Sequence, residues 1–170
     1  MNGKNIYVLG IGINEYEVEG ISDLEQCERD IDRVKKFFIS SLKVPESNYK
    51  VLSPKETCRE GIITAFRTHF GNLRRGDIAV LNYSGHGSWE KPAKEFIEAK
   101  FESSTGQIEG IVPRDARVDG VRIISDKEIR LLVNEIQYTD EGKEKGVQFV
   151  GIFDCCYSGS MLKFDQSKER

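Results

Sequence analysis

The sequence predicts an α/β domain in which a mostly parallel sheet is covered by helices on both faces. Two observations predict it. Apolar runs rich in Val, Ile, Leu and aromatic residues recur at 5–13, 78–83 and 147–153, and they are continuous rather than alternating, as strands buried on both faces require. Segments with helical apolar spacing lie between them, and strands that alternate with helices imply parallel pairing. In such sheets the functional crevice lies beyond the carboxyl ends of the strands.

Taken in order, 5–13 reads as a buried strand ending in Gly10-Ile11-Gly12. Residues 23–42 follow as a helix with Leu24, Cys27, Ile31, Val34, Phe37 and Phe38 on one face, and Ser22 or Asp23 as its cap. A short strand, 49–52, is closed by Ser53-Pro54. A second helix, 57–73, turns Ile62, Ile63, Phe66 and Phe70 inward, with Thr57 as cap; His69 covers a face of it. The turn at Arg74-Arg75-Gly76-Asp77 leads into the third strand. Residues 88–106 read as an irregular loop, and 108–113 with 118–124 as a hairpin around Arg114-Asp115-Ala116-Arg117. Ser125 and Glu128 form a capping box for a third helix, 126–137. A charged loop precedes the fourth strand, and 163–170 is a polar, charged tail. No repeat, linker or second domain interrupts 1–162.

The 170 residues suffice for one domain with a real core, and 38% of them are hydrophobic. A net charge of −3 gives no basic footprint, which argues against a nucleic-acid partner. No apolar run approaches the ~20 residues of a bilayer span, so no membrane partner is expected. The start runs into a strand without a secretory pattern. The cysteines, Cys27, Cys58, Cys155 and Cys156, include no Cys-x-x-Cys pair and lack zinc-ligand spacing. A reducing, cytoplasmic location is the expectation.

Two strand ends carry the chemistry. Ile78-Ala79-Val80-Leu81-Asn82-Tyr83 breaks into Ser84-Gly85-His86-Gly87, and Val147-Gln148-Phe149-Val150-Gly151-Ile152-Phe153 breaks into Asp154-Cys155-Cys156-Tyr157-Ser158-Gly159. A solitary Cys or His is more often packing than chemistry. Here one of only 2 His and a Cys pair stand at matched strand ends, each beside Ser and Gly. If the strands are neighbours, an imidazole meets a thiol and activates it as a nucleophile. The amides of Gly87 and of the nucleophilic Cys would hold an oxyanion, with Gly85 and Gly87 allowing close approach and unusual backbone angles.

These two segments resemble the His and Cys motifs of caspase-like cysteine peptidases, and are closest to the metacaspase branch. The resemblance implies a caspase-like three-layer α/β/α sandwich with a small hairpin insertion, and a cysteine endopeptidase working by a Cys–His dyad. Cys156 would be the nucleophile, Cys155 the variable residue before it, and His86 the base. The spacing from His86 to Cys156 exceeds the about 50 residues of caspases, and the hairpin and long loop account for it. Leu24-Glu25-Gln26-Cys27-Glu28-Arg29-Asp30 is similar to a third family segment. By that likeness Asp30, Ser84, Asp154 and Cys27 line the primary specificity pocket. Its carboxylates would hold an Arg or Lys side chain and repel an acidic one. Read from its neighbours alone, Asp30 is a solvated residue paired with Arg33 or Arg29.

Gln26 and Arg29 replace the family's usual Gly and Asn, and Tyr157 its usual His. Many metacaspases need calcium. Pro113-Arg114-Asp115-Ala116 keeps one acid without a second beside it, and Lys163 stands where another is expected, so Asp115 is the one candidate calcium ligand and no other cofactor is implied. The resemblance also implies a small subunit of two more strands and their helices after the Cys motif. Only a charged tail ending at Arg170 follows here, so the chain is expected to be the large-subunit portion, processed from a zymogen or truncated. Two other readings compete: an inactive caspase-like interaction module, and a doubly wound domain holding a phosphorylated ligand at Gly10-Ile11-Gly12, which lacks the full dinucleotide fingerprint.

Overall fold

The computed structural model describes residues 3–91 and 107–156. In chain order these form β1 (Ile6–Gly12), α1 (Cys27–Ser40), β2 (Tyr49–Val51), α2 (Arg59–Phe70), β3 (Ile78–Ser84), β4 (Gly87–Glu90), β5 (Ile108–Ile111), β6 (Ile124–Ser125), α3 (Asp126–Gln137) and β7 (Gln148–Asp154). Strands β2, β1, β3 and β7 pair in that order into one sheet, and every pairing is parallel. This is the α/β architecture the continuous apolar runs imply.

Each face of the sheet has its own core. On one, Leu9, Ile11, Leu81 and Tyr83 pack under Phe66 and Phe70 of α2 and Ile129 and Val133 of α3. On the other, Ile6, Val8 and Val80 meet Phe38 of α1 and Tyr49 of β2. Burying each such side chain contributes about 1.5–3 kcal/mol, so β1 and β3, covered on both faces, anchor the domain. Among the described residues, strand β7 has no such cover on the α1 side. Its residues alternate between exposed and half-buried, with Val150 43% and Ile152 36% exposed.

The local expectations meet tertiary structure with mixed results. The Ser125–Glu128 capping box is present, and α3 spans the residues expected. Helix α1 starts four residues later than its apolar spacing suggests. Neither Ser22 nor Asp23 caps it; Asp23 Oδ1 instead accepts from the Tyr16 amide, and the Cys27 amide donates 3.0 Å to Asn14 Oδ1 across the loop. Phe37, expected inward, is 54% exposed. Cys58 rather than Thr57 caps α2. The hairpin pairing of β5 with β6 exists, but β6 has only two residues. Strand β4, expected to be loop, joins β5 to complete a small antiparallel sheet in the order β4-β5-β6. His69 is a packing residue: it stacks against Tyr7 and Phe70, its Nε2 lies 3.2 Å from Asn48 O, and burial keeps its pKa low. The expected tail, 163–170, lies outside the described residues. No described helix is long and apolar enough to cross a membrane.

Candidate active site

Parallel pairing of β3 with β7 settles which residues meet. Ser84 stands opposite Asp154 in the ladder, and the Gly85 amide donates to Asp154 O at 3.3 Å. Two residues further along each chain come His86 and Cys156. The segments converge closely there. A Cβ on Gly87 would lie 1.8 Å from Cys156 O and 3.3 Å from Cys155 Sγ. Neither Gly85 nor Gly87 has a positive φ. Their smallness therefore serves close approach, and the unusual backbone angles expected from the sequence are not used.

His86 is fixed by three residues, Tyr16 and Ser22 of the loop after β1 and Tyr83 of β3. Its backbone amide donates to Tyr16 Oη at 2.8 Å, and its carbonyl accepts from Tyr83 Oη at 2.7 Å. Its ring packs at a tilt against Tyr16, with centroids 5.0 Å apart. Its Nε2 lies 2.8 Å from Ser22 O. A carbonyl oxygen only accepts, so this contact places the proton on Nε2 and leaves the lone pair on Nδ1. Burial pushes the Tyr16 hydroxyl up to about 12 and Tyr83 well above its usual value, so both stay neutral at any physiological pH.

The two adjacent cysteines have different surroundings. Cys156 is exposed, while Cys155 is half-buried against the α2–α3 core. Burial, then the neighbouring Cys156 and Asp154, push the Cys155 thiol up to about 12. A thiol held protonated is a poor nucleophile. Tyr157, Ser158 and Gly159 lie outside the described residues.

Cys27, Asp30, Ser84 and Asp154 also converge. Helix α1 reaches the end of β1 because Gly12 lacks a side chain: a Cβ there would lie 2.8 Å from Glu28 Cα and 2.9 Å from Cys27 O. That contact brings Cys27 against the end of β1, so Gly12 serves packing. Burial raises the Cys27 thiol pKa; Ser84, hydrogen-bonded to it, works against this, while the charges of Asp154 and Asp30 add to it. Asp30 also pairs with Arg33 at 2.7 Å, the neighbour its helical spacing offers. Asp115 has a structural partner. Its Oδ1 accepts from the Arg59 amide at the start of α2, 2.8 Å away. Among the described residues no group of three or more His, Cys, Asp or Glu side chains is placed to hold a metal ion.

Tyr16, Tyr83 and the Ser22 carbonyl were not singled out by sequence. The one available signal is position, because the loop after β1 leaves the carboxyl end of a parallel strand.

A family profile described as "Metacaspase, peptidase C14 domain" matches residues 8–165. Among curated relatives, Metacaspase-3 of Trypanosoma cruzi is 29% identical over 162 residues, covering 91% of this chain and 40% of the relative. Metacaspase-1A of Aspergillus oryzae is 28% identical over 158 residues, covering 89% and 34%. Metacaspase-4 of Arabidopsis thaliana is 29% identical over 165 residues, covering 94% and 34%. The chain thus spans between a third and two-fifths of these relatives' length. A crystal structure of a Geobacter sulfurreducens protein superposes with a TM-score of 0.65 at 22% identity, covering 91% of this chain and 52% of that one, and supports the fold.

Proposed function

From the premise that the chain belongs to the metacaspase, peptidase C14 family, we propose that it is the large-subunit part of a cysteine endopeptidase that cleaves after Arg or Lys. The observation that carries this reading is the β3–β7 register, in which Ser84 faces Asp154 and the chain ends beyond them converge at Gly87 and Cys156.

In the proposed reaction His86 Nδ1 takes the proton of the Cys156 thiol, and the sulfur bonds to the scissile carbonyl carbon. The amides of Gly87 and Cys156 hold the oxyanion. Collapse breaks the carbon–nitrogen bond, and the imidazolium returns its proton to the leaving amine. Water, deprotonated by the same imidazole, then attacks the thioester. This releases a carboxylate and regenerates the thiol. The Ser22 carbonyl holds the tautomer, as a carboxylate does in a triad. On the pocket side, Asp30 and Asp154 supply charge, and Ser84 and Cys27 supply the wall. A protein or peptide with Arg or Lys before the scissile bond is the proposed substrate.

Three companions of this reading rest on separate grounds. The part-exposed Val150 and Ile152 on β7 suit a partner from the same precursor, the small subunit, and proteolytic processing of that precursor would activate the enzyme. Four unbridged cysteines suit a cytoplasmic setting. The thiol chemistry needs no cofactor.

The test is a set of matched peptides with Arg, Lys, Asp or Leu before the scissile bond, with and without calcium, on wild-type, Cys156→Ala and Cys155→Ala enzyme. Cleavage after Arg and Lys, lost in Cys156→Ala and kept in Cys155→Ala, is expected. Iodoacetamide at neutral pH should modify Cys156 ahead of Cys155. Activity that survives without Cys156, or cleavage only after Asp, would overturn the reading.

A further inference from the structure

His86 lines a cavity of about 250 Å³. Ile21, Val112 and Ile123 supply apolar lining, and Arg117, His86 and Gly87 line it as well. None of Cys27, Asp30, Ser84 or Asp154 lines it. The cavity's lining is therefore distinct from the Cys27, Asp30, Ser84 and Asp154 cluster.

The wall is well supported. Val112, Ala116 and Ile123 are buried together in a small core of their own, with Tyr16 and Ile21 packed against it. Arg117 follows the fully buried Ala116, its amide donates to Val121 O at 2.6 Å, and its backbone is left-handed at φ 70°. Such a conformation is costly for a non-glycine residue and persists only where the surroundings impose it. The Arg117 side chain has no ion pair among the described residues.

We infer that this cavity is the subsite for the first residue after the scissile bond, and that Arg117 selects an acidic side chain there. The inference rests on the peptidase reading above. In that chemistry the leaving nitrogen must reach His86 to take its proton. The side chain next to that nitrogen then falls on the His86 side, away from the acidic pocket. A volume below the ~300 Å³ of the smallest drug-sized pockets suits one side chain. The apolar wall takes its methylene groups, and the guanidinium takes its carboxylate. With carboxylates on one side of the scissile bond and a cation on the other, the enzyme would favour a basic–acidic pair in that order. It would reject two successive basic residues by like-charge repulsion.

Peptides with Arg before the scissile bond and Asp, Glu, Asn, Leu or Lys after it test this by kcat/KM on the full-length enzyme. The acidic peptides should exceed the Lys peptide by about fivefold at low salt, and the ratio should shrink toward one at about 1 M salt. Arg117→Glu should invert the order. Arg117→Asn, which tolerates a left-handed backbone, should bring the ratio close to one. Equal kcat/KM across the wild-type series, or an unchanged order in a folded Arg117→Glu enzyme, would overturn the subsite. Failure to cut any Arg peptide is a different outcome, and would remove the peptidase reading together with it.

Discussion

Replacing Gly87 by alanine tests the convergence of the two strand ends directly. The new methyl carbon would sit 1.8 Å from the Cys156 carbonyl oxygen and 2.8 Å from its carbonyl carbon. Real Cβ atoms essentially never approach within 3.0 Å, so the peptide after the proposed nucleophile must retreat by more than an ångström. No flexible side chain can absorb this, because the obstructing atoms are backbone. A misplacement of about 1 Å at a reacting group can cost about 10²-fold in rate, or about 2.7 kcal/mol of transition-state stabilisation. The clashing atoms belong to Cys156 and Cys155 and not to Cys27, Asp30 or Ser84, so the loss should fall on kcat far more than on KM. Overpacking of this kind also costs about 1–3 kcal/mol of stability, or several degrees of melting temperature at this chain length. Steady-state kinetics on an Arg peptide, beside a thermal melt and the alkylation rate of Cys156, would resolve the effects. A Gly87→Ala enzyme within about threefold of wild type and with an unchanged melting temperature would refute the claimed contact.

Two further predictions concern single ion pairs. Arg33→Gln releases Asp30 from its exposed partner, whose interaction is worth about 0–1 kcal/mol, so KM for Arg peptides should fall by up to about fivefold while kcat holds; a raised KM would show that Arg33 helps to bind substrate. Glu128 caps α3 through Ser125 and grips Arg59 of α2. Burial raises its carboxyl pKa, but the Arg59 and Ser125 hydrogen bonds outweigh this and hold it below the usual value. A depressed folded pKa contributes stability that is present above the unfolded value, near 4.5, and is lost as pH falls through the folded one. Glu128→Gln should therefore cost about 1–3 kcal/mol in urea melts at pH 7 and progressively less below pH 4.5; a constant difference across that range would refute the linkage.

Much of this molecule is legible from residue order, because its determinants are local. Continuous apolar runs mark β1 and β3, since a strand buried on both faces has no solvent side to make polar, whereas β7 carries such a run with one face exposed. The capping box at Ser125 and Glu128 needs only residues three apart, as does the Asp30–Arg33 pair. The two reactive segments are conspicuous because His and Cys are scarce in this chain. What escapes such reading depends on partners far along the chain. The start of α1 is decided by Asn14, thirteen residues before the amide it satisfies. Strand β4 has no alternation of its own and exists because β5 pairs with it. The tautomer of His86 depends on a backbone carbonyl at Ser22, a group every residue carries and no sequence distinguishes. Residue order alone thus established an α/β sheet with an imidazole and a thiol at the ends of two strands. Folding decided that those strands are neighbours in register, that Cys155 faces the core while Cys156 faces solvent, and that a recess is lined by His86. Those outcomes follow from through-space packing, and spacing along the chain does not encode them.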